Sequence, residues 1–350
     1  MEKLAIEGGL PVREEMLPYG RHVVDESDIR AVTDILKGDW LTTGPMVEEY
    51  EEDIAGKTGA GHAVAFSSGT AALHAAAFAA GISGGDEVIT SPITFAATSN
   101  CILYMGGKPL FADIRADSCN VDPACMEELI TPKARALIPV DFAGQPADYD
   151  EIISIAAKNG LTVIEDAAQA LGAEYKKRPV GSIADMTVFS THPVKNITTG
   201  EGGIVTTNDE KFAKKLRSFR SHGISTDARQ RSQQGTWFYE MNELGFNYRL
   251  PDILCALGKS QLKKLDKFIL RRREIAGRYD KSFKEIPEVE PLRRLKERES
   301  AWHLYVVRFD LELLRAGRDQ IFDALRAEGI GVNVHYIPVY LHPYYQRLGY

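Results

Sequence analysis

Lys195 stands in Ser190-Thr191-His192-Pro193-Val194-Lys195, directly after an apolar run at residues 185–190. Its neighbours are small and apolar, and the stretch is too short and Gly-rich for a solvated helix face. The turn Thr198-Thr199-Gly200-Glu201-Gly202-Gly203 follows and would fix the loop. A lysine removed from water loses part of its preference for the charged form and becomes a usable amine nucleophile. Asp166 lies in Glu165-Asp166-Ala167-Ala168-Gln169, at the end of a second apolar run. Ligands of open parallel sheets sit outside the carboxyl ends of the strands, and an acid there needs a cationic partner. Ser67-Ser68-Gly69-Thr70-Ala71-Ala72-Leu73 opens a helix directly after a strand. The free N–H groups and positive dipole end of such a helix suit a phosphate, and Gly69 lets the backbone come close. Phe95, just past another strand in Ser91-Pro92-Ile93-Thr94-Phe95, could stack on a flat heteroaromatic ring.

Each feature alone has a plainer role. Ser and Thr cap helices everywhere, a strand-end Asp can do the same, most lysines are surface charges, and a Phe commonly fills a core. Their order along the chain carries more weight: phosphate turn, stacking aromatic, strand-end acid, lysine. That set fits pyridoxal 5′-phosphate. Lys195 would form a Schiff base with its aldehyde, and Asp166 would keep the ring nitrogen protonated so that the ring acts as an electron sink. The Ser-Gly-Thr turn is neither a P-loop nor a dinucleotide fingerprint.

The elements that must position these residues read as an α/β protein. Short β-branched runs at 62–66, 87–90, 109–114, 136–142, 161–165, 185–190 and 203–207 predict strands. A helix from Thr70 and an amphipathic segment at 149–158 alternate with them, which implies a mostly parallel sheet covered by helices. After Asn208 a helix is predicted at 209–220, then a long loop at 230–247 rich in Gln, Gly and aromatics. Pro251 opens a long helical pattern carrying Ile253, Leu257, Leu262, Leu265 and Ile269. Strand, helix and strand are predicted at 302–309, 319–328 and 331–336. The expected organisation is a large domain at 1–251 and a smaller α+β domain at 252–350.

Composition narrows the function. At 350 residues and 44% hydrophobic, the chain can bury a sizeable core. The net charge of −7, with no basic aromatic stretch, argues against a nucleic-acid partner. No window is apolar for long enough to span a membrane, and residues 1–15 hold no signal-peptide core. Cys101, Cys119, Cys125 and Cys255 have no metal-ligand spacing, so no metal is expected and free thiols in the cytoplasm are.

With these motifs in hand, the chain resembles the DegT-type sugar aminotransferases, a branch of the fold-type I PLP enzymes. The resemblance runs from Leu17-Pro18-Tyr19-Gly20 to His342-Pro343-Tyr344-Tyr345. It takes in Leu41-Thr42-Thr43-Gly44-Pro45, the Ser67 turn, Glu165 to Gln169, His192 to Lys195, Ser221-His222-Gly223 and Gly245-Phe246-Asn247-Tyr248-Arg249. It implies that Lys195 carries the cofactor and moves protons, that Asp166 pairs with the ring nitrogen, that Gln169 holds the phenolic side and that Phe95 stacks. Gly69, Thr70 and Ser190 would surround the phosphate. Asn247 would reach a neighbouring subunit's cofactor, so a homodimer is implied. Tyr19, Asp39, Trp40, Leu41, Thr42, His335, Tyr336, Ile337 and Pro338 would lie near the nucleotide-sugar, together with Gly69, Ser190 and Asn247.

Within the family the chain is most similar to the pseudaminic-acid branch. That implies glutamate as donor and the C4 ketone of a UDP-linked 4-keto-6-deoxy-N-acetylhexosamine as acceptor. Perosamine and 4-amino-arabinose enzymes share every motif named. A sugar dehydratase of the same fold would carry His in place of Lys195, and a non-catalytic regulator would not need both Lys195 and Asp166. The resemblance also implies a further apolar segment and a final helix after Tyr350, so the small domain is expected to be short or truncated.

Overall fold

The computed structural model describes residues 3–226, 229, 231 and 235–350. Gln230, where the expected long loop begins, lies outside them, as do residues 1 and 2 of the N-terminal stretch.

Seven strands form the central sheet: β1 (His62–Phe66), β2 (Glu87–Thr90), β3 (Lys108–Phe111), β4 (Ala134–Ile138), β5 (Thr162–Asp166), β6 (Met186–Ser190) and β7 (Gly203–Thr207). Their spatial order is β1-β7-β6-β5-β4-β2-β3. Only β7 runs against the rest, pairing antiparallel with both β1 and β6. The other neighbours are parallel, as the alternation of strands and helices predicts. The carboxyl ends of β1, β2, β5 and β6 therefore share one edge of the sheet. In a parallel sheet covered on both faces, that edge is where ligands collect.

Apolar layers lie on both faces. One is formed by the alanine-rich α3 (Gly69–Ala79) and by α7 (Glu210–Arg220) on Val64, Ile138, Ile164 and Val188. The other joins α2 (Pro45–Thr58), preceded in the chain by α1 (Glu26–Lys37), to helix α8 (Asp252–Leu262) through Tyr50, Ile54, Phe189 and Cys255. Between α3 and α7 lie α4 (Ala97–Tyr104), α5 (Pro123–Glu128) and α6 (Tyr149–Asn159). Asp252 caps α2 from afar, its two carboxylate oxygens accepting from the N–H groups of Gly44 (2.8 Å) and Met46 (3.1 Å).

Several predicted elements differ; the strand expected at 109–114 is Lys108–Phe111. The long helix after Pro251 is two helices, α8 and α9 (Leu265–Phe283), because Lys264 turns to bond Asp28 at 2.5 Å and Asp25 at 3.0 Å. The strand expected at 302–309 is only Val307–Phe309, paired with Val289–Pro291. Its first half is drawn off as a loop, with Ala301 N–H donating to Gly144 and the Arg272 guanidinium bonding the carbonyls of Trp302 and His303. The strand expected at 331–336 does not form. After helix α10 (Arg318–Ala327), a single bridge joins Ile330 to Leu17, Gly331 N–H donates to Leu17 O, and farther on the Tyr336 hydroxyl accepts from Gln169.

Candidate active site

The phosphate turn sits where β1 ends. Ser68 caps α3, its Oγ accepting from Ala71 N–H at 3.1 Å, so the plainer reading of that serine holds as well. Capping leaves the first-turn amides of Gly69 and Thr70 without intrahelical partners. Across the turn stands Ser190, the last residue of β6; a Cβ on Gly69 would lie 3.0 Å from its Cβ. The two are brought together because β7 pairs with both β1 and β6 at Gly203, which is opposite Phe66 on one side and Ser190 on the other.

Asp166 closes β5 and is buried. Thr98 Oγ1 donates to one carboxylate oxygen at 2.6 Å and Ala168 N–H to the other at 3.1 Å. Burial raises its pKa, opposed by those two donors and by Lys195. Lys195 reaches the site from the loop after β6, where its N–H donates to His192 O at 2.9 Å. Burial pushes its ammonium down to about 8, and Asp166 pulls the other way. Among the described residues neither group has an ion-pair partner within 4.0 Å.

Gln169, buried, is fixed at both ends: Ala143 N–H donates to its Oε1 at 2.8 Å, and its Nε2 donates to the Tyr336 hydroxyl at 2.9 Å. Tyr336 thereby joins the cofactor region, and burial pushes its phenol up to about 12. Val339 N–H donates to Pro92 O at 3.0 Å, which ties the segment with His335, Tyr336, Ile337 and Pro338 to the turn bearing Phe95. The Phe95 ring is 64% exposed, free to cover a ligand. Tyr19 meets His335 with ring centroids 5.9 Å apart, and Gly20 lies against Val194, beside Lys195. The N-terminal segment is thus laid over the lysine loop.

Two sets of expected residues stand apart. Asp39, Trp40, Leu41 and Thr42 make no hydrogen bond or aromatic contact to this cluster among the described residues, and Trp40 and Leu41 are exposed. Asn247 is exposed on an edge, bridged to Ser221. The sequence reading missed Thr98. Its signal is faint: a hydroxyl four residues after Thr94, to which it bonds at 2.7 Å. It also missed His303, a buried imidazole whose Nδ1 has no hydrogen-bond partner among the described residues. Burial and the nearby Lys195 drive the pKa of that imidazole well down.

The set suits a flat, cationic, phosphorylated ring. The cradle at Gly69 would be narrowed by any side chain there, Asp166 is a buried acid held only by neutral donors, and a desolvated amine stands near it.

Comparison with known proteins agrees. The profile of the DegT/DnrJ/EryC1/StrS aminotransferase family matches residues 22–350. The spore coat polysaccharide biosynthesis protein SpsC of Bacillus subtilis (strain 168) is 45% identical over 337 residues, 96% of this chain and 87% of that protein. Among solved structures, Helicobacter pylori PseC, an aminotransferase involved in the biosynthesis of pseudoaminic acid, superposes with a TM-score of 0.89 at 35% identity. The match covers 96% of this chain and 88% of that one. Spr1654 of Streptococcus pneumoniae, a protein assigned as a sugar aminotransferase, gives 0.90 in its PMP form at 34% identity, with 95% and 89% covered.

Proposed function

The chain belongs to the DegT/DnrJ/EryC1/StrS aminotransferase family, with pyridoxal 5′-phosphate as cofactor, and from that premise we propose that it moves an amino group from glutamate to the C4 ketone of a UDP-linked 4-keto-6-deoxy-N-acetylhexosamine. The observation that carries the aminotransferase reading is the half-buried Lys195, its ammonium pushed down to about 8, near the buried Asp166 on the sheet edge where Gly69 meets Ser190. The likeness to PseC over nearly the whole chain supports the sugar. We also propose a homodimer, with Asn247 and Arg249 serving the neighbouring chain's site, and a cytoplasmic location, in keeping with four free cysteines.

When bound, the cofactor supplies an electron sink for the carbon that loses its proton. The protein's own groups do the rest. Asp166, aimed by Thr98 and Ala168, holds a positive charge on the ring nitrogen. The first-turn amides of α3 and the Ser190 hydroxyl hold the phosphate. Lys195 Nζ, with its pKa at about 8, is free amine in a useful fraction near neutral pH. It can therefore accept the proton from the donor carbon and return it on the other side of the reaction. Gln169 has its amide orientation set by Ala143 and Tyr336, so it presents a fixed edge to the ring. Tyr19, His335 and Tyr336 frame an aromatic, polar mouth suited to a sugar.

The test is turnover of a panel of keto nucleotide-sugars with glutamate, following 2-oxoglutarate and the amino-sugar by mass spectrometry. The UDP-linked 4-keto-N-acetylhexosamine should give the highest kcat/KM. A different nucleotide or keto-sugar preferred by about tenfold or more, roughly 1.4 kcal/mol, would overturn the assigned substrate.

A further inference from the structure

The residue that serves the neighbouring site is carried by an aromatic clamp on the phosphate helix of its own chain. Phe246 and Tyr248 stack with ring centroids 4.9 Å apart and planes 11° from parallel. Residues two apart on an extended segment share a face, so Asn247 between them is turned to the opposite face, where it is exposed. The segment is held by its backbone on one side: Phe246 N–H donates to Phe219 O at 2.8 Å, and Tyr248 N–H to Arg220 O at 3.0 Å. On the other side Ser67 N–H, in the phosphate turn, donates to Tyr248 O at 2.8 Å. His74 completes the clamp from α3. Its ring lies 5.1 Å from both Phe219 and Phe246, and its Nδ1 is 3.2 Å from the Tyr248 hydroxyl. Burial lowers the pKa of the imidazole and so favours the neutral ring that packs among these aromatics. A phenyl ring would fill this apolar pocket at less desolvation cost, so the directional bond to Tyr248 is what a histidine adds there.

We propose that His74 and Tyr248 are positioning residues that set Asn247 for the neighbouring subunit's cofactor, so that one helix both binds a phosphate in its own site and orients the residue lent to the other. This rests on the cross-subunit role of Asn247 given above.

Heterodimers with two different affinity tags test it. One chain in each carries Lys195→Ala, so only the other chain's site can give the visible absorbance of lysine-bound cofactor. His74→Phe is placed either on the Lys195→Ala chain, which lends its Asn247 to the reporting site, or on the chain that owns the reporting site. Apoprotein is titrated with pyridoxal 5′-phosphate and its thermal midpoint is measured. With the substitution on the lending chain, affinity at the reporting site should fall about fivefold, the equivalent of one hydrogen bond. On the owning chain it should change by less than about twofold, and the thermal midpoint should not fall in either arrangement. Tyr248→Phe should repeat the pattern. Equal loss in both arrangements, loss only on the owning chain, or no loss in either would overturn the proposal. Asn247→Ala in the same two arrangements separates the causes. If its effect also appears only on the owning chain, the cross-subunit reading has failed. If its effect appears on the lending chain and that of His74→Phe does not, only the clamp has failed.

Discussion

Lys195 is pulled two ways. Burial lowers its pKa to about 8, and the Asp166 carboxylate opposes that by favouring the ammonium. Replacing Asp166 with Asn removes the opposing charge while keeping the shape, so the pKa of Lys195 should fall and its amine should be free at lower pH. Competitive acetylation of the apoprotein, read at Lys195 by mass spectrometry across pH, should show a midpoint near 8 that moves down in the variant. A midpoint that stays put or rises would mean that the two groups do not feel each other. Turnover should fall roughly a hundredfold or more with Asp166→Asn, as expected when a charge facing the developing transition state is lost. Asp166 was legible in the sequence because it follows an apolar run and so had to stand at a strand end, and Lys195 because it lies in the short loop that follows another such run. Thr98 was not, since a second hydroxyl one helical turn after Thr94 is commonplace and nothing local says that it faces an acid 68 residues away. The Gln169–Tyr336 bond spans 167 residues, and only the fold brings that pair together.

Among the elements, β7 decides the shape of the candidate phosphate site. Its first residue, Gly203, lies under the turn after β1, and a Cβ there would come within 2.3 Å of Ser68 O and 2.7 Å of Gly69 N. Backbone cannot give way cheaply at such distances, so Gly203→Ala should cost about 1–3 kcal/mol in denaturant unfolding and should also weaken cofactor binding. Gly277→Ala is the control. It lies in helix α9 with nothing within 4 Å of the added Cβ, and should gain up to about 1 kcal/mol. If Gly203→Ala matched Gly277→Ala, the close approach would not constrain the turn. The strands at 62–66, 87–90 and 203–207 were readable to the residue because polar or Gly-containing turns bound them sharply. The strand expected at 136–142 is Ala134–Ile138 with one further bridge, Val140 to Asp166: Pro139 has no N–H to give the ladder, and beyond that bridge the chain bends into the Asp141–Gly144 turn behind Gln169. The segment 331–336 has strand-like composition, yet it lacks a neighbouring edge beyond one bridge, and the pull of Gln169 on Tyr336 takes over. Composition reports what a run favours, whereas pairing depends on what lies next to it.

At the scale of the whole molecule, a single chain leaves large apolar side chains exposed. Trp237 is 85% exposed, Leu244 75% and Met241 66%, all on the segment that leads to Asn247. Large apolar groups gathered on one segment mark an interaction surface, and aromatic and methionine side chains are the types enriched in protein interfaces. Asn247, Trp40 and Leu41 are likewise exposed, and among the described residues none of the three makes a hydrogen bond or aromatic contact to the cluster around Lys195. Both facts follow if two chains meet here and each completes the other's site. Complementation tests this directly. Lys195→Ala protein and Asn247→Ala protein, each inactive alone, are mixed under conditions that exchange subunits. A heterodimer then holds one site with both residues intact, made of Lys195 from the Asn247→Ala chain and Asn247 from the Lys195→Ala chain. Random pairing makes half of the dimers mixed, so turnover should recover to about a quarter of the parent value per chain. Native mass spectrometry of the same sample measures how many mixed dimers are present. If they form, bind cofactor and stay inactive, then Asn247 acts within its own chain and the shared site is wrong.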